Sequence, residues 1–159
     1  MKILGIDCGL AITGWGIIEK TKFANNAVVI DYGAILTPKG LSVQERIEMM
    51  YDELEDIIKK YKPDHIAIEE LFFFKNQKTV IPVAESRGAM LLCAIKMHIE
   101  TYEYTPLEVK QAVTSSGRAD KLQVQKMVKM LLNLKEIPKP DDTADALAIA
   151  LTHSFVVRV

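Results

Sequence analysis

The spacing of apolar positions along the chain changes repeatedly, and each change marks an element. Lys2 to Asp7 is a short apolar run, Ile3-Leu4-Gly5-Ile6, closed by an acid. Thr13 to Glu19 and Ala27 to Leu36 have the composition of strands, with a polar turn around Asn25-Asn26 between them. The chain is therefore expected to open as an antiparallel meander of three strands. From Ser42 the period lengthens to that of a helix: Ile47, Met50, Tyr51, Leu54, Ile57, Ile58 and Tyr61 share one face. Ser42 with Glu45 forms a capping box at its start, Lys59 and Lys60 suit its C-terminus, and Pro63 stops it.

His65 to Glu69 reads as a buried strand, and Thr79 to His98 as a helix with Pro82 in its first turn. A short strand, Thr101 to Tyr104, precedes helices at Leu107 to Val113 and Lys121 to Leu132, with a Gly117 loop between them. Pro138 and Pro140 interrupt the chain before a last helix, Asp142 to Phe155. This order predicts an α/β fold with a five-stranded mixed sheet flanked by helices. The fourth and fifth strands should be parallel and joined by a right-handed crossover. A length of 159 residues predicts a single domain, 1–159, burying roughly 70% of its extended-chain surface.

Composition changes this picture little. Cys8 and Cys93 have no C-x-x-C spacing and no secretory leader precedes them, which predicts a reducing compartment and no thiolate zinc site. No apolar run approaches the ~20 residues of a membrane helix. Charge is more informative. The formal net charge of -1 argues against a polyanion as partner, but its distribution argues the other way. Residues 45–70 carry nine acids and four bases, whereas residues 71–135 carry ten bases and five acids. Phosphate responds to a basic face rather than to the sum.

Four acids occupy unusual positions. Asp7 closes the first strand before Cys8-Gly9, where neither packing nor solvation suits it, and Glu69 closes Ile66-Ala67-Ile68 in the same manner. Asp142 and Asp145, three apart, share one helix face. Each also has a simpler reading: Asp142 or Asp141 as an N-cap after Pro140, Asp145 as a dipole partner, Glu69 and Glu70 as a solvated strand end. Taken together, crowded carboxylates repel, and a hard divalent cation such as Mg²⁺ or Mn²⁺ relieves the repulsion. Two such ions ~4 Å apart hydrolyse phosphodiesters.

Among the bases, Lys110, Arg118 and Lys121 lie in the most positive stretch, suited to phosphate contacts, with Lys121 the candidate to stabilise charge in a phosphoryl transition state. Phe72-Phe73-Phe74 with Lys75 and Lys78 combines rings and cations as single-strand binders do. Arg87 fits DNA contact or an interface between subunits. His65, His98 and His153 show no metal-ligand spacing, although His153 lies on the helix that carries the acids.

These blocks carry a resemblance. Ile3-Leu4-Gly5-Ile6-Asp7-Cys8-Gly9 with Thr13-Gly14-Trp15-Gly16 forms the first, and Ala67-Ile68-Glu69-Glu70 with Phe72, Lys75 and Asn76 the second. Val109-Lys110-Gln111 with Lys121 and Val124-Gln125 forms the third, and Asp142 to Ala150 with Thr152-His153 the last. In order and spacing they resemble the RuvC family of bacterial Holliday junction resolvases over essentially the whole chain. The resemblance implies an RNase H-like fold, a cytoplasmic homodimer with two active sites, and paired nicking of four-way junction DNA. It also implies Mg²⁺ as cofactor, two ions per subunit with Mn²⁺ as a substitute, and the RuvA-RuvB branch-migration complex as partner. Carried over by residue, Asp7, Glu69, Asp142 and Asp145 would bind metal, and Lys110 and Lys121 would lie near the scissile phosphate or the DNA. Phe72 would work at opened bases. Cys8 departs from the family, which usually has proline there; the turn loses a fixed φ and gains an oxidisable thiol that could bind a softer metal.

Two other readings stand beside this one. A non-catalytic junction-binding module would keep the acids for structure alone. The turn Gly5 to Gly14 also resembles the phosphate loop of actin-like ATPases, which close two such domains around a nucleotide and need a longer chain.

Overall fold

Five strands form one mixed sheet in the computed structural model, which describes residues 1–21, 27–71 and 77–158. The elements run β1 (Lys2–Asp7), β2 (Ile12–Glu19), β3 (Val28–Leu36), α1 (Val43–Tyr61), β4 (His65–Glu69) and α2 (Gln77–Lys96). β5 (Glu100–Tyr104), α3 (Pro106–Thr114), α4 (Lys121–Leu131) and α5 (Asp141–Val156) complete the chain. The strand order is β3-β2-β1-β4-β5. The first three strands are the expected meander, antiparallel throughout, and β4 is parallel to both β1 and β5. The turn at Asn25-Asn26 lies outside the described residues.

Each sheet face carries its own core. Leu4, Ile6, Ile17, Ile66 and Ile68 pack against Met50, Leu54 and Ile58 of α1 and Met90, Cys93 and Ala94 of α2. On the other face Ile3, Ile18 and Ala67 pack against α3, α4 and α5 through Val109, Val113, Val124, Val128 and Leu147. The alternation of Ile3, Leu4 and Ile6 around Gly5 produces this division, because neighbouring strand residues face opposite ways.

α1 starts on the expected capping box: Ser42 N–H donates to Glu45 Oε2 at 2.7 Å, and the Ser42 hydroxyl accepts from Glu45 N–H. Two elements depart from expectation. α2 begins at Gln77, so Pro82 lies inside the helix rather than in its first turn. A proline keeps helical φ and removes one hydrogen bond, which a long helix packed on a core absorbs. α5 begins one residue early, and its N-cap is Pro140, with no side-chain cap hydrogen bond. Asp141 and Asp142 both stand in the first turn, so neither is the cap.

α5 is buried nearly all round, from Thr143 through Ser154 apart from a half-buried Asp145. Its approach to the sheet depends on two glycines. A Cβ at Gly5 would overlap the Ala146 carbonyl oxygen and lie 2.9 Å from the Ala150 methyl, and one at Gly14 would overlap the Asp142 carbonyl. The other end of α5 is fixed by Lys20, whose ammonium donates to the carbonyls of Ser154 and, at 2.9 Å, Val157. Ile6 pairs with Ile68, so Asp7 and Glu69 leave adjacent parallel strands side by side, and α5 brings its acids over them.

Gly5→Ala should therefore lower unfolding stability by about 1–3 kcal/mol, because backbone must shift to admit one methyl. Gly40, with nothing within 4 Å of a built Cβ, should tolerate alanine within about 0.5 kcal/mol. Urea denaturation of the two variants checks this, and equal changes would contradict the close-approach account.

Candidate active site

β1 and β4 are apolar because both of their faces are covered, and each ends in a carboxylate where that cover thins. Burial, followed by the charges of Asp145, Glu69 and Asp142, pushes the Asp7 carboxyl up to about 8. Burial and then Asp145 push Glu69 up to about 7, against the pull of Lys110 and Lys121. Burial likewise raises Asp145. All four sequence-picked acids thus share one electrostatic neighbourhood, although they come from three elements.

The acids do not form a finished ligand shell. Among the described residues no three His, Cys, Asp or Glu side chains converge closely enough to hold a metal ion. Instead the Lys121 ammonium, at the first position of α4, lies 2.9 Å from Asp145 and 3.9 Å from Asp141. A capping box between Asp120 and Gln123 fixes that helix start. Glu69, Lys110, Lys121 and Asp145 line one cavity of about 270 Å³ with Pro106 and Val109 as apolar wall. Carboxylates held against their preference to ionise, all-oxygen donors and a neighbouring void fit a hard divalent cation, which keeps several waters.

The other sequence-picked residues fall into three groups. Arg87 is mostly buried; its Nε donates to the Glu69 carbonyl at 3.2 Å and its guanidinium pairs with Glu103. It therefore braces the end of β4 against β5 from the α2 side. Arg118 is exposed in the turn before α4. Phe72, Phe73 and Lys75 lie outside the described residues, and Lys78 is placed in α2 by its backbone.

Cys8 donates its thiol hydrogen to Met90 Sδ at 3.3 Å. Burial, and then the charge of Asp7, push that thiol up, so it stays protonated. A thiol pushed up in this way is a weaker nucleophile than an ordinary cysteine.

One constellation escaped the sequence. His153 Nδ1 is 2.7 Å from the Tyr104 hydroxyl, and its Nε2 is 2.9 Å from His65 Nδ1. The ring is 1% exposed, and burial followed by the adjacent His65 lowers it to about 4, so it is neutral. Tyr104 is the register partner of Glu69, and this chain ties the C-terminal half of α5 to β4 and β5. The available signal was parallel register, which places Tyr104 beside Glu69 once β4 and β5 are paired.

A free carboxyl raised to about 8 favours the folded state most below its ordinary value near 3.8 and loses that contribution as pH rises through 8. The metal-free protein should therefore melt at lower temperature at pH 9 than at pH 6, and a divalent cation should raise the midpoint more at pH 9. Asp7→Asn should flatten both responses. Calorimetric melts with and without Mg²⁺ check this, and a cation effect unchanged by the substitution would contradict it.

Comparison with known proteins agrees with the geometry. The family model described as crossover junction endodeoxyribonuclease RuvC matches residues 3–153. A crossover junction endodeoxyribonuclease RuvC of Caldicellulosiruptor saccharolyticus is 56% identical over 153 residues, 96% of this chain and 92% of its own. The solved structure of Thermus thermophilus RuvC superposes with a TM-score of 0.89 at 35% identity, covering 98% of this chain and 94% of that one. The same protein in complex with Holliday junction substrate gives 0.87 at 32% identity, with the same coverage. The sheet order and flanking helices are those of the RNase H-like fold.

Proposed function

The chain belongs to the RuvC family of crossover junction endodeoxyribonucleases and resolves four-way DNA junctions, and from that premise we propose that Asp7, Glu69, Asp142 and Asp145 form its catalytic centre. The observation that carries this reading is the mutual elevation of buried carboxyls around Asp7 beside a cavity lined by two lysines. These acids would hold Mg²⁺, two ions per subunit, with Mn²⁺ as a substitute. The ions would supply a hydroxide nucleophile near neutral pH and neutralise charge on the scissile phosphate.

The chain's own residues do the rest. Asp7 and Glu69 are held side by side by parallel pairing, and Asp145 by the glycine-mediated approach of α5. Lys121 neutralises Asp145 in the free protein. With a cation held by the acids, its ammonium would be available to the scissile phosphate, where it would stabilise the transition state. Lys110, which lines the same cavity, would bind a neighbouring phosphate as a point charge. Phe72 and Phe73 would stack on opened bases, with Lys75, Lys78 and Arg118 on the backbone. Arg87 acts through Glu69, as a positioning residue.

A four-way junction has two-fold symmetry, so paired cuts need two sites related by the same axis, as in a C2 dimer. Ile81, Leu92 and Ile95 leave 66%, 53% and 67% of their surface exposed along α2, which suits a subunit interface. We place the homodimer in the cytoplasm beside its DNA and working with the RuvA-RuvB complex. No described helix is long and apolar enough to cross a membrane.

Junction nicking under single-turnover conditions tests the catalytic assignment. Asp7→Asn should bind a labelled mobile junction within severalfold of wild type and lose nicking. Cleavage at the wild-type rate would show that the acids serve structure alone. Lys121→Ala should slow the cleavage step by about 10²-fold, and a defect confined to affinity would remove its transition-state role.

A further inference from the structure

The acidic stretch of α1 contributes no residue to the cavity lined by Glu69 and Asp145, and it borders an outer edge of the sheet. β3 is the outer strand on that side, nine residues long, and no strand pairs with its far side among the described residues. Natural edge strands are blunted by lysine, proline or brevity. β3 has none of these three, and its one blunting device is a bulge. Its only charge is Asp31, and Val28, Ile30 and Leu36 are 59%, 42% and 57% exposed. The register passes from Ile17 with Asp31 to Ile18 with Val29, so Ile30 is an extra residue bulged from the pairing.

Beside this edge lies a cavity of about 460 Å³ between β3 and α1. Trp15, Asp31, Glu53, Asp56, Lys60 and Tyr61 supply its chemistry. The Trp15 and Tyr61 rings form one wall, their centroids 5.8 Å apart. Asp31 is fixed at the mouth, accepting from the Tyr61 hydroxyl and, at 2.9 Å, from Tyr32 N–H. A cation already samples the site from within the chain: Lys60 Nζ lies 4.6 Å from the Tyr61 ring centre and 3.9 Å from Asp31. That lysine is largely exposed and free to swing away.

Charge and shape select the occupant. Three carboxylates against one lysine repel nucleic acid, so this face does not serve the junction. No three carboxylates here converge on a metal. Aromatic faces with flanking carboxylates suit a guanidinium, which stacks and is weakly hydrated. An edge with free backbone groups and apolar side chains suits an added strand. We propose that β3 and this cavity form a docking site for an extended segment of a partner protein, pairing along the edge and placing an arginine against Trp15 and Tyr61. The site is independent of the cleavage centre.

A fluorescein-labelled peptide of alternating threonine and valine with one central arginine is the probe, titrated into the full-length protein by anisotropy and by amide chemical-shift mapping. The arginine peptide should bind at least fivefold more tightly than its glutamine counterpart, with shifts concentrated in residues 28–36 and 53–61. Glu53→Gln with Asp56→Asn should erase the arginine preference, and Ile30→Lys should weaken both peptides through charge on the edge. Each variant should nick a junction at the wild-type rate, which separates failure here from failure of the nuclease reading. Equal binding of the two peptides by wild type, or shifts centred elsewhere, would overturn the proposal.

Discussion

Asp7 sits where an apolar strand leaves the core, and ionising it there costs several kcal/mol before any neighbour is counted. Glu69 and Asp145 then add like charge to the same corner. Such an arrangement persists only if the surrounding structure forces it, and here two features do. Parallel pairing of β1 and β4 fixes the first two acids, and α5 is pressed onto the sheet at Gly5 and Gly14 until its backbone carbonyls meet strand backbone. Lys121 supplies the compensating positive charge in the free protein. Stability is given up at this corner and regained in the two cores and along α5, which is buried over most of its length.

The sheet also sorts charge. α1 and its acidic surface lie on one face with α2, whereas α3 and α4, with Lys110 and Lys121, lie on the other. A net charge of -1 is therefore the sum of two unlike surfaces. The basic side carries Lys110 and Lys121 beside Glu69 and Asp145, and the acidic side borders the outer edge of β3. The His65–His153–Tyr104 chain holds the C-terminal half of α5 to β4 and β5 on the face that carries α3 and α4.

Much of this was legible in the sequence because it depends on local pattern. Strand alternation, the Ser42–Glu45 box and the acids ending Ile3–Ile6 and Ile66–Ile68 are short-range signals, and each corresponds to an observed element. Less legible was anything fixed by packing between distant segments. Pro82 lies within α2 because tertiary burial outweighs one lost hydrogen bond. Asp142 is no cap because the Pro140 backbone already starts α5. Arg87 points at Glu69 and Glu103 rather than outward, and the Cys8 thiol donates to Met90, a residue 82 positions away. The pairing of two histidines 88 residues apart leaves no trace in spacing at all.

Lys121 on Asp145 stands, in the proposed centre, where a cation bound by Asp7, Glu69, Asp142 and Asp145 would compete with it. The most direct measurement is a crystal structure at saturating Mn²⁺, read by anomalous scattering. The account predicts anomalous peaks bounded by these four carboxylates, with the Lys121 ammonium moved off Asp145. Lys121 still on Asp145, with no anomalous peak among the acids, would contradict it.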